Sequence, residues 1–129
     1  MSIKIDTLII KSKDVLKNSY SKYSNFKVGA SVLGDNGKVY VGTNIENSSY
    51  GLTICAERVA IFSAVSDGVK LINKLVLTSE EDNYITPCGA CRQVLSEFSN
   101  KYTEIILVNK KGEFIIKTVE ELLPLAFKI

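Results

Sequence analysis

Apolar and polar positions along the chain follow two periods, one typical of helices and one typical of strands. Near the N-terminus, helical spacing predicts a first helix over about residues 3–18, with the apolar positions Ile5, Leu8, Ile9, Val15 and Leu16. The stretch FKVGASVLG then predicts a strand, and KVYVGTN predicts a second strand. Between them, DNGK predicts a hairpin turn, because its Asn36-Gly37 pair tolerates a positive φ.

The rest of the chain alternates between helices and strands. CAERVAIFSAVSDG predicts a helix that ends near Gly68, NKLVLTS a buried strand, and CGACRQVLSEFS a further helix. EIILVN and FIIKT predict two more strands joined by a KKGE turn, and VEELLP predicts a short final helix closed by Pro124. This alternation predicts a three-layer α/β/α fold: a mixed five-stranded sheet with an antiparallel hairpin at its start and helices on both faces.

Composition and charge narrow the class of protein. The chain has 129 residues without a repeat or linker, so residues 1–129 are expected to form a single domain. Its 16 basic and 14 acidic residues give a net charge of +2, too small and too scattered for a nucleic-acid-binding surface. No apolar run approaches the ~20 residues of a membrane span. An odd number of cysteines without a signal peptide predicts a reducing, cytoplasmic location.

The candidate chemistry lies in three cysteines, Cys55, Cys88 and Cys91, in a chain without histidine. Each lies at the start of a predicted helix, where unpaired N–H groups and the positive end of the helix dipole stabilise thiolates. A CxxC motif alone also fits a structural zinc site or a redox pair, but redox pairs follow an early strand. A closed structural zinc site needs four ligands, whereas three ligands plus water is the arrangement of catalytic zinc. The cysteines therefore favour one catalytic Zn²⁺ per chain.

Glu57, two residues after Cys55, adds a candidate proton carrier. The order C-A-E, followed by P-C-G-A-C from Pro87 to Cys91, matches the zinc-deaminase pattern H-x-E…P-C-x-x-C with cysteine in place of histidine. In that pattern the glutamate moves protons and does not bind the metal. The alternative is a solvated first-turn glutamate that the helix dipole favours.

Four longer motifs, YSKYSNFKVGA, GTNIENSSYGLTICAERVAIFSAVSDG, TPCGACRQVLSEF and ELLPLAF, occur in this order. In order and spacing they resemble those of the small homotetrameric class of cytidine deaminases, nearly end to end. Lys22 departs from the pattern, because the family typically has proline before Tyr-Ser, and Thr86 is a milder variant. The resemblance implies a cytidine-deaminase-like fold and one Zn²⁺ per subunit. It also implies hydrolytic deamination of cytidine and 2′-deoxycytidine to uridine and 2′-deoxyuridine, with release of ammonia, in pyrimidine salvage.

The resemblance also implies roles for residues around the substrate. Asn44 and Glu46 resemble the pair that hydrogen-bonds the sugar hydroxyls, and Phe26 resembles the aromatic beside the pyrimidine. Taken alone, the NIENSSYG stretch is an ordinary polar loop and Phe26 an ordinary core residue. The Ala56 backbone and Glu57 are expected to recognise the base.

Two further aromatic residues resemble those that complete the site of a neighbouring subunit, namely Tyr50 and Phe127. Without the resemblance, Phe127 would be an aromatic at a frayed terminus. The expected assembly is therefore a homotetramer with composite sites.

Arg58 is a candidate for balancing the charge of the thiolates. Three thiolates and Zn²⁺ carry a net charge of −1, whereas a His-Cys-Cys site is neutral. Arg58 lies three residues after Cys55 on the same helix face, where its guanidinium can donate hydrogen bonds to sulfur. The family resemblance implies the same role, and the alternative is an exposed surface arginine.

Two other functions remain open. One is deamination of another cytosine-bearing molecule, such as a nucleoside antibiotic or a base in nucleic acid; the small net charge argues against a polynucleotide. The other is a non-catalytic zinc-binding interaction module, against which Glu57 and an open fourth zinc position argue. The expected partner is a small-molecule nucleoside, with no nucleic acid and no membrane.

Overall fold

The central sheet, in a computed structural model that describes residues 4–129, has five strands. They are β1 (Val28–Gly34), β2 (Val39–Thr43), β3 (Ile72–Ser79), β4 (Glu104–Val108) and β5 (Phe114–Lys117). Their spatial order is β2-β1-β3-β4-β5. Strands β3 and β4 are parallel, and the other neighbouring pairs are antiparallel. The prediction of a mixed five-stranded sheet that starts with a hairpin is confirmed.

The described part of the chain has four α-helices beside the sheet: α1 (Ile5–Asp14), α2 (Ala56–Ser66), α3 (Gly89–Glu97) and α4 (Val119–Leu122). The predicted first helix is α-helical only to Asp14 and continues as a 3₁₀ turn over Val15–Asn18; residues 1–3 of that prediction lie outside the described part. The predicted first strand was wrong at its start, since β1 begins at Val28 and Phe26 lies in a loop. Among residues 4–129, no helix has the length and apolar character needed to cross a bilayer.

The two faces of the sheet are covered by different helices. Alternating side chains of the strands, Val76, Ile106 and Val108, pack with Leu8 of α1 on one face. Their neighbours along the strands pack on the other face with α2, α3 and α4, in a cluster that includes Ala60, Ile61, Leu75, Leu77, Leu95, Ile105 and Leu107. The prediction of a three-layer α/β/α arrangement is therefore confirmed.

Close packing sets the position of α2 on the sheet. A Cβ atom built on Gly42 of β2 would lie 2.6 Å from the carbonyl oxygen of Ala56 and 2.6 Å from the amide nitrogen of Ala60. Only glycine leaves room for this approach, so the first turn of α2 lies directly against β2. The residues at the start of α2 are thereby held at a fixed depth beside the sheet.

Candidate active site

Three cysteine side chains meet where α2 and α3 begin. Cys55 is the residue before α2, Cys88 is the residue before α3, and Cys91 lies in the first turn of α3. The Sγ atoms of Cys55 and Cys88 are 3.7 Å apart, and those of Cys88 and Cys91 are 3.4 Å apart. Tetrahedral zinc with Zn–S distances of about 2.3 Å requires sulfur atoms about 3.8 Å apart. The three free thiols therefore fit the donor set of a zinc site with one open position.

A cavity of about 620 Å³ opens beside the thiols. Most of the predicted site residues line it, namely Phe26, Asn44, Glu46, Cys55, Ala56, Glu57 and Cys88. Cys91 is buried and is not among the lining residues. The volume lies in the range of small-molecule sites, roughly 300–1,000 Å³. The candidate metal ligands are thus at one wall of a cavity that suits a small molecule.

Glu57 is the buried acid of this cavity, with 5% of its surface exposed. Burial raises the pKa of its carboxyl group to about 7, and the nearby Cys55 acts in the same direction. When the pKa of a carboxyl group is near neutrality, its protonated and ionised forms are both populated. This suits a residue that accepts and returns protons. The alternative of a solvated first-turn glutamate is not what the structure shows.

The thiols and Arg58 are linked by hydrogen bonds. Nη2 of Arg58 donates to the Sγ of Cys55 at 3.5 Å. The pKa of the Cys55 thiol is lowered to about 5, chiefly by a hydrogen bond from Cys91 and further by those from Arg58 and Cys88. The pKa of Cys91 is raised by its bond to Cys55 and by burial, so Cys55 is the first of the two to ionise. Arg58 is half-buried and lies beside that thiolate, which does not match an exposed surface arginine.

Asn44 and Glu46 also line the cavity and lie just after β2. The side chain of Asn44 accepts a hydrogen bond from the Val28 amide at 3.0 Å and donates to the Phe26 carbonyl at 2.6 Å. Glu46 accepts hydrogen bonds from the residues before Phe26, and the Ser24 hydroxyl lowers its pKa the most. Glu46 is therefore held as an ionised acceptor that faces the cavity.

Tyr50 and Phe127 do not line this cavity within one chain. Tyr50 is 77% exposed and lies in an adjoining hollow that shares Ser24, Glu46 and Thr53 with the cavity. Phe127 is 71% exposed and lies in a separate hollow, where its carbonyl accepts a hydrogen bond from Gln93 at 3.1 Å. Within one chain, Tyr50 is therefore next to the cavity and Phe127 is outside it.

Several lining residues were not predicted as site residues. Ser24, Thr53, Tyr84, Ile85 and Thr86 all face the cavity. The only signal for Thr86 was its position directly before Pro87 and Cys88. The others lie in irregular loops, whose positions follow from distant contacts and not from a periodic pattern.

Three thiols at two helix starts lie beside a buried glutamate. This is the arrangement of side chains found in zinc-dependent deaminases. Residues 3–108 match the family model for the cytidine and deoxycytidylate deaminase zinc-binding region, and the chain belongs to this family. The resemblance stated from the motifs is confirmed.

Individual relatives agree with this assignment. The chain is 46% identical to the cytidine deaminase of Sporosarcina psychrophila over 95% of this chain and 90% of the relative. It is also 33% identical to the blasticidin-S deaminase of Bacillus cereus, over 78% of this chain and 76% of that protein. The crystal structure of cytidine deaminase from Burkholderia pseudomallei superposes with a TM-score of 0.92 at 41% identity, covering 97% of this chain and 100% of that one. These matches confirm the predicted fold class.

Proposed function

We propose that this chain is a zinc-dependent cytidine deaminase that converts cytidine and 2′-deoxycytidine to uridine and 2′-deoxyuridine with release of ammonia. The observation that carries the proposal is the arrangement of one cavity. The buried Glu57 and two of the thiols line it together with the polar side chains of Asn44 and Glu46. A cavity that combines this acid and metal site with further hydrogen-bonding groups suits a substrate with a reactive base and a hydroxylated sugar.

The proposed zinc ligands are Cys55, Cys88 and Cys91, because their sulfur atoms all lie within 4.8 Å of one another. When bound there, zinc supplies Lewis-acid activation of a water molecule. Glu57 accepts a proton from the attacking water and protonates N3 of the cytosine ring. After water adds at C4, Glu57 carries a proton to the amino group, which leaves as ammonia. Water and cytidine are consumed, uridine and ammonia are formed, and no covalent enzyme intermediate is needed.

The remaining residues of the cavity are proposed to bind and orient the nucleoside. Phe26 lies beside the pyrimidine, and the backbone of Ala56 hydrogen-bonds the base at the start of α2. Asn44 and Glu46 hydrogen-bond the sugar hydroxyls. Holding C4 near the activated water lowers the entropic part of the barrier.

A substrate panel tests the proposal. Zinc-loaded protein is assayed for ammonia release from cytidine, 2′-deoxycytidine, free cytosine, blasticidin S and single-stranded DNA. We expect turnover of both nucleosides and much lower kcat/KM for cytosine, because cytosine lacks the sugar. A higher kcat/KM for blasticidin S or for single-stranded DNA than for cytidine would contradict the proposed substrate class.

We also propose that Arg58 offsets the extra negative charge of a three-thiolate site, as its 3.5 Å contact with Cys55 supports. We expect Arg58→Gln to lower kcat/KM for cytidine by roughly 10- to 100-fold, the usual cost of losing a residue that supports metal ligands. Adding Cys55→His removes one negative charge and is expected to recover part of the loss. A double-mutant cycle on kcat/KM measures this coupling. If the loss in the double variant equals the product of the two single losses, Arg58 does not balance the charge of the thiolates.

The active assembly is proposed to be a homotetramer whose sites are completed by Tyr50 and Phe127 of neighbouring subunits. Large exposed apolar side chains support it, since Phe62 is 44% exposed, Phe127 71% and Leu125 101%. Deleting residues 126–129 is expected to lower activity by on the order of 10-fold or more, because Phe127 is lost. Deleting only residues 128–129 is the matched control, with activity retained. An active monomer in sedimentation, or full activity after the longer deletion, would contradict the assembly.

The proposal extends to the organisation and location of the chain. One sheet contains strands from Val28 to Lys117, which supports a single domain over residues 1–129. Three free cysteines in metal-binding geometry support a reducing cytoplasmic compartment. Formation of uridine from cytidine there is the chemistry of pyrimidine salvage.

A further inference from the structure

One hydroxyl group, that of Ser24, joins two residues that line the cavity. Its Oγ donates a hydrogen bond to Oε2 of Glu46 and accepts one from the amide of Phe26 at 3.0 Å. The other carboxylate oxygen, Oε1, accepts from the backbone amides of Tyr23 at 2.9 Å and Ser24 at 3.1 Å. Both oxygens of Glu46 are therefore held by one short segment, and Ser24 provides the single side-chain contact among them.

A tight turn in the backbone around Asn25 allows the Ser24 hydroxyl to make both hydrogen bonds. Asn25 has a φ of +57°, in the left-handed region that asparagine tolerates better than most residues. Its amide donates to the Ser21 carbonyl at 2.8 Å, which closes a tight turn. The turn places the Ser24 hydroxyl within reach of the Phe26 amide. On the opposite side, the Phe26 carbonyl accepts from the Asn44 side chain.

We propose that Ser24 is a positioning residue for sugar recognition, which orients the Glu46 carboxylate toward the hydroxyl groups of a bound nucleoside. The inference rests on the proposed function. The last torsion of a glutamate side chain is broad, so two bonds to Oε1 alone leave the carboxylate plane free to turn. The bond from Ser24 to Oε2 fixes the plane.

The Glu46 carboxylate, held in this way, still has a free hydrogen-bond acceptor site for a sugar hydroxyl. Each carboxylate oxygen offers about two acceptor sites, so Oε2 has one left after the bond from Ser24. Oε1 has both of its sites taken by the two amides. A sugar hydroxyl therefore meets a single pre-oriented acceptor. The same hydroxyl of Ser24 keeps the pKa of Glu46 below its ordinary value, so the acceptor stays ionised.

The test compares cytidine with 2′,3′-dideoxycytidine, which lacks the hydroxyl groups that Glu46 would bind. We expect Ser24→Ala to raise KM for cytidine roughly tenfold, because one charge-assisted hydrogen bond is lost, with kcat changed less than about threefold. With the dideoxynucleoside as substrate, kcat/KM is expected to stay within about twofold of the wild-type value. Competitive inhibition of cytidine turnover by this analogue gives a second measure of its binding. Ser24→Thr keeps the hydroxyl and is expected to restore KM for cytidine.

Ser48→Ala is the matched control, since Ser48 is an exposed serine that hydrogen-bonds the Tyr23 hydroxyl at 2.7 Å and does not contact Glu46. Ser48→Ala should leave the ratio of kcat/KM for cytidine to kcat/KM for 2′,3′-dideoxycytidine unchanged. If Ser24→Ala lowers kcat/KM equally for cytidine and 2′,3′-dideoxycytidine, the role of Ser24 is merely structural and the inference is overturned. An unchanged kcat/KM for both nucleosides would overturn it as well. Failure of the wild-type protein to deaminate cytidine would instead refute the proposed function, so the two failures are distinguishable.

Discussion

Replacing Glu57 with glutamine is expected to lower kcat for cytidine by roughly 10²- to 10⁴-fold or more. The amide has nearly the shape of the carboxyl group but cannot accept a proton from water, protonate the ring or return a proton to the leaving amine. Glu57 is buried beside the thiols, and burial raises its pKa to about 7. Its carboxyl group is the only predicted proton carrier in the cavity.

Steady-state kinetics with cytidine, together with zinc analysis and far-ultraviolet circular dichroism, measure this effect separately from loss of metal or fold. Glu80→Gln is the matched control, because Glu80 is an exposed glutamate that follows β3 and does not line the cavity. It should retain wild-type kcat. A near-normal kcat in Glu57→Gln with zinc bound would show that another group moves the protons.

Cys88→Ala is expected to lower zinc affinity by on the order of 10²-fold or more and to abolish turnover. The proposed zinc site has only three protein ligands, and the chain contains no other cysteine or histidine to replace one. The sulfur of Cys88 is 3.7 Å from that of Cys55 and 3.4 Å from that of Cys91. Its removal therefore leaves two thiols that cannot close the site.

Zinc bound per chain, measured by elemental analysis after dialysis against a weak chelator, tests this expectation. Glu57→Gln is the internal control, because it removes a cavity carboxylate and no sulfur, and it should keep one zinc per chain. Full zinc retention in Cys88→Ala would remove Cys88 from the ligand set.

The periodic parts of the fold were predictable from the sequence. Helical and strand spacings predicted the strands and predicted the start of α2 to within one residue, because burial on one face of an element is a local pattern. The position of Cys55 and Cys88 at helix starts was predictable for a similar reason, since both lie directly before helices. What the pattern did not specify was that these two helix starts approach within bonding distance of one metal ion; the zinc-deaminase motif supplied that.

The loops that complete the cavity were not predictable in the same way. Phe26 was predicted in a strand, but Asn25 takes a positive φ and the Phe26 carbonyl hydrogen-bonds Asn44, 18 residues further along the chain. The contact between Ser24 and Glu46 likewise spans 22 residues. Such contacts depend on how β1 and β2 pair, and no local period encodes them.

Reconstitution of metal-free protein with zinc tests the central claim most directly. Ammonia release from cytidine is followed while Zn²⁺ is added in steps to a known concentration of chains. We predict no turnover without metal, a linear rise with added zinc and a plateau at one zinc per chain, with uridine and ammonia formed in equal amounts. Full activity in the metal-free protein, or no cytidine turnover at one bound zinc per chain, would contradict the assignment of a zinc-dependent cytidine deaminase.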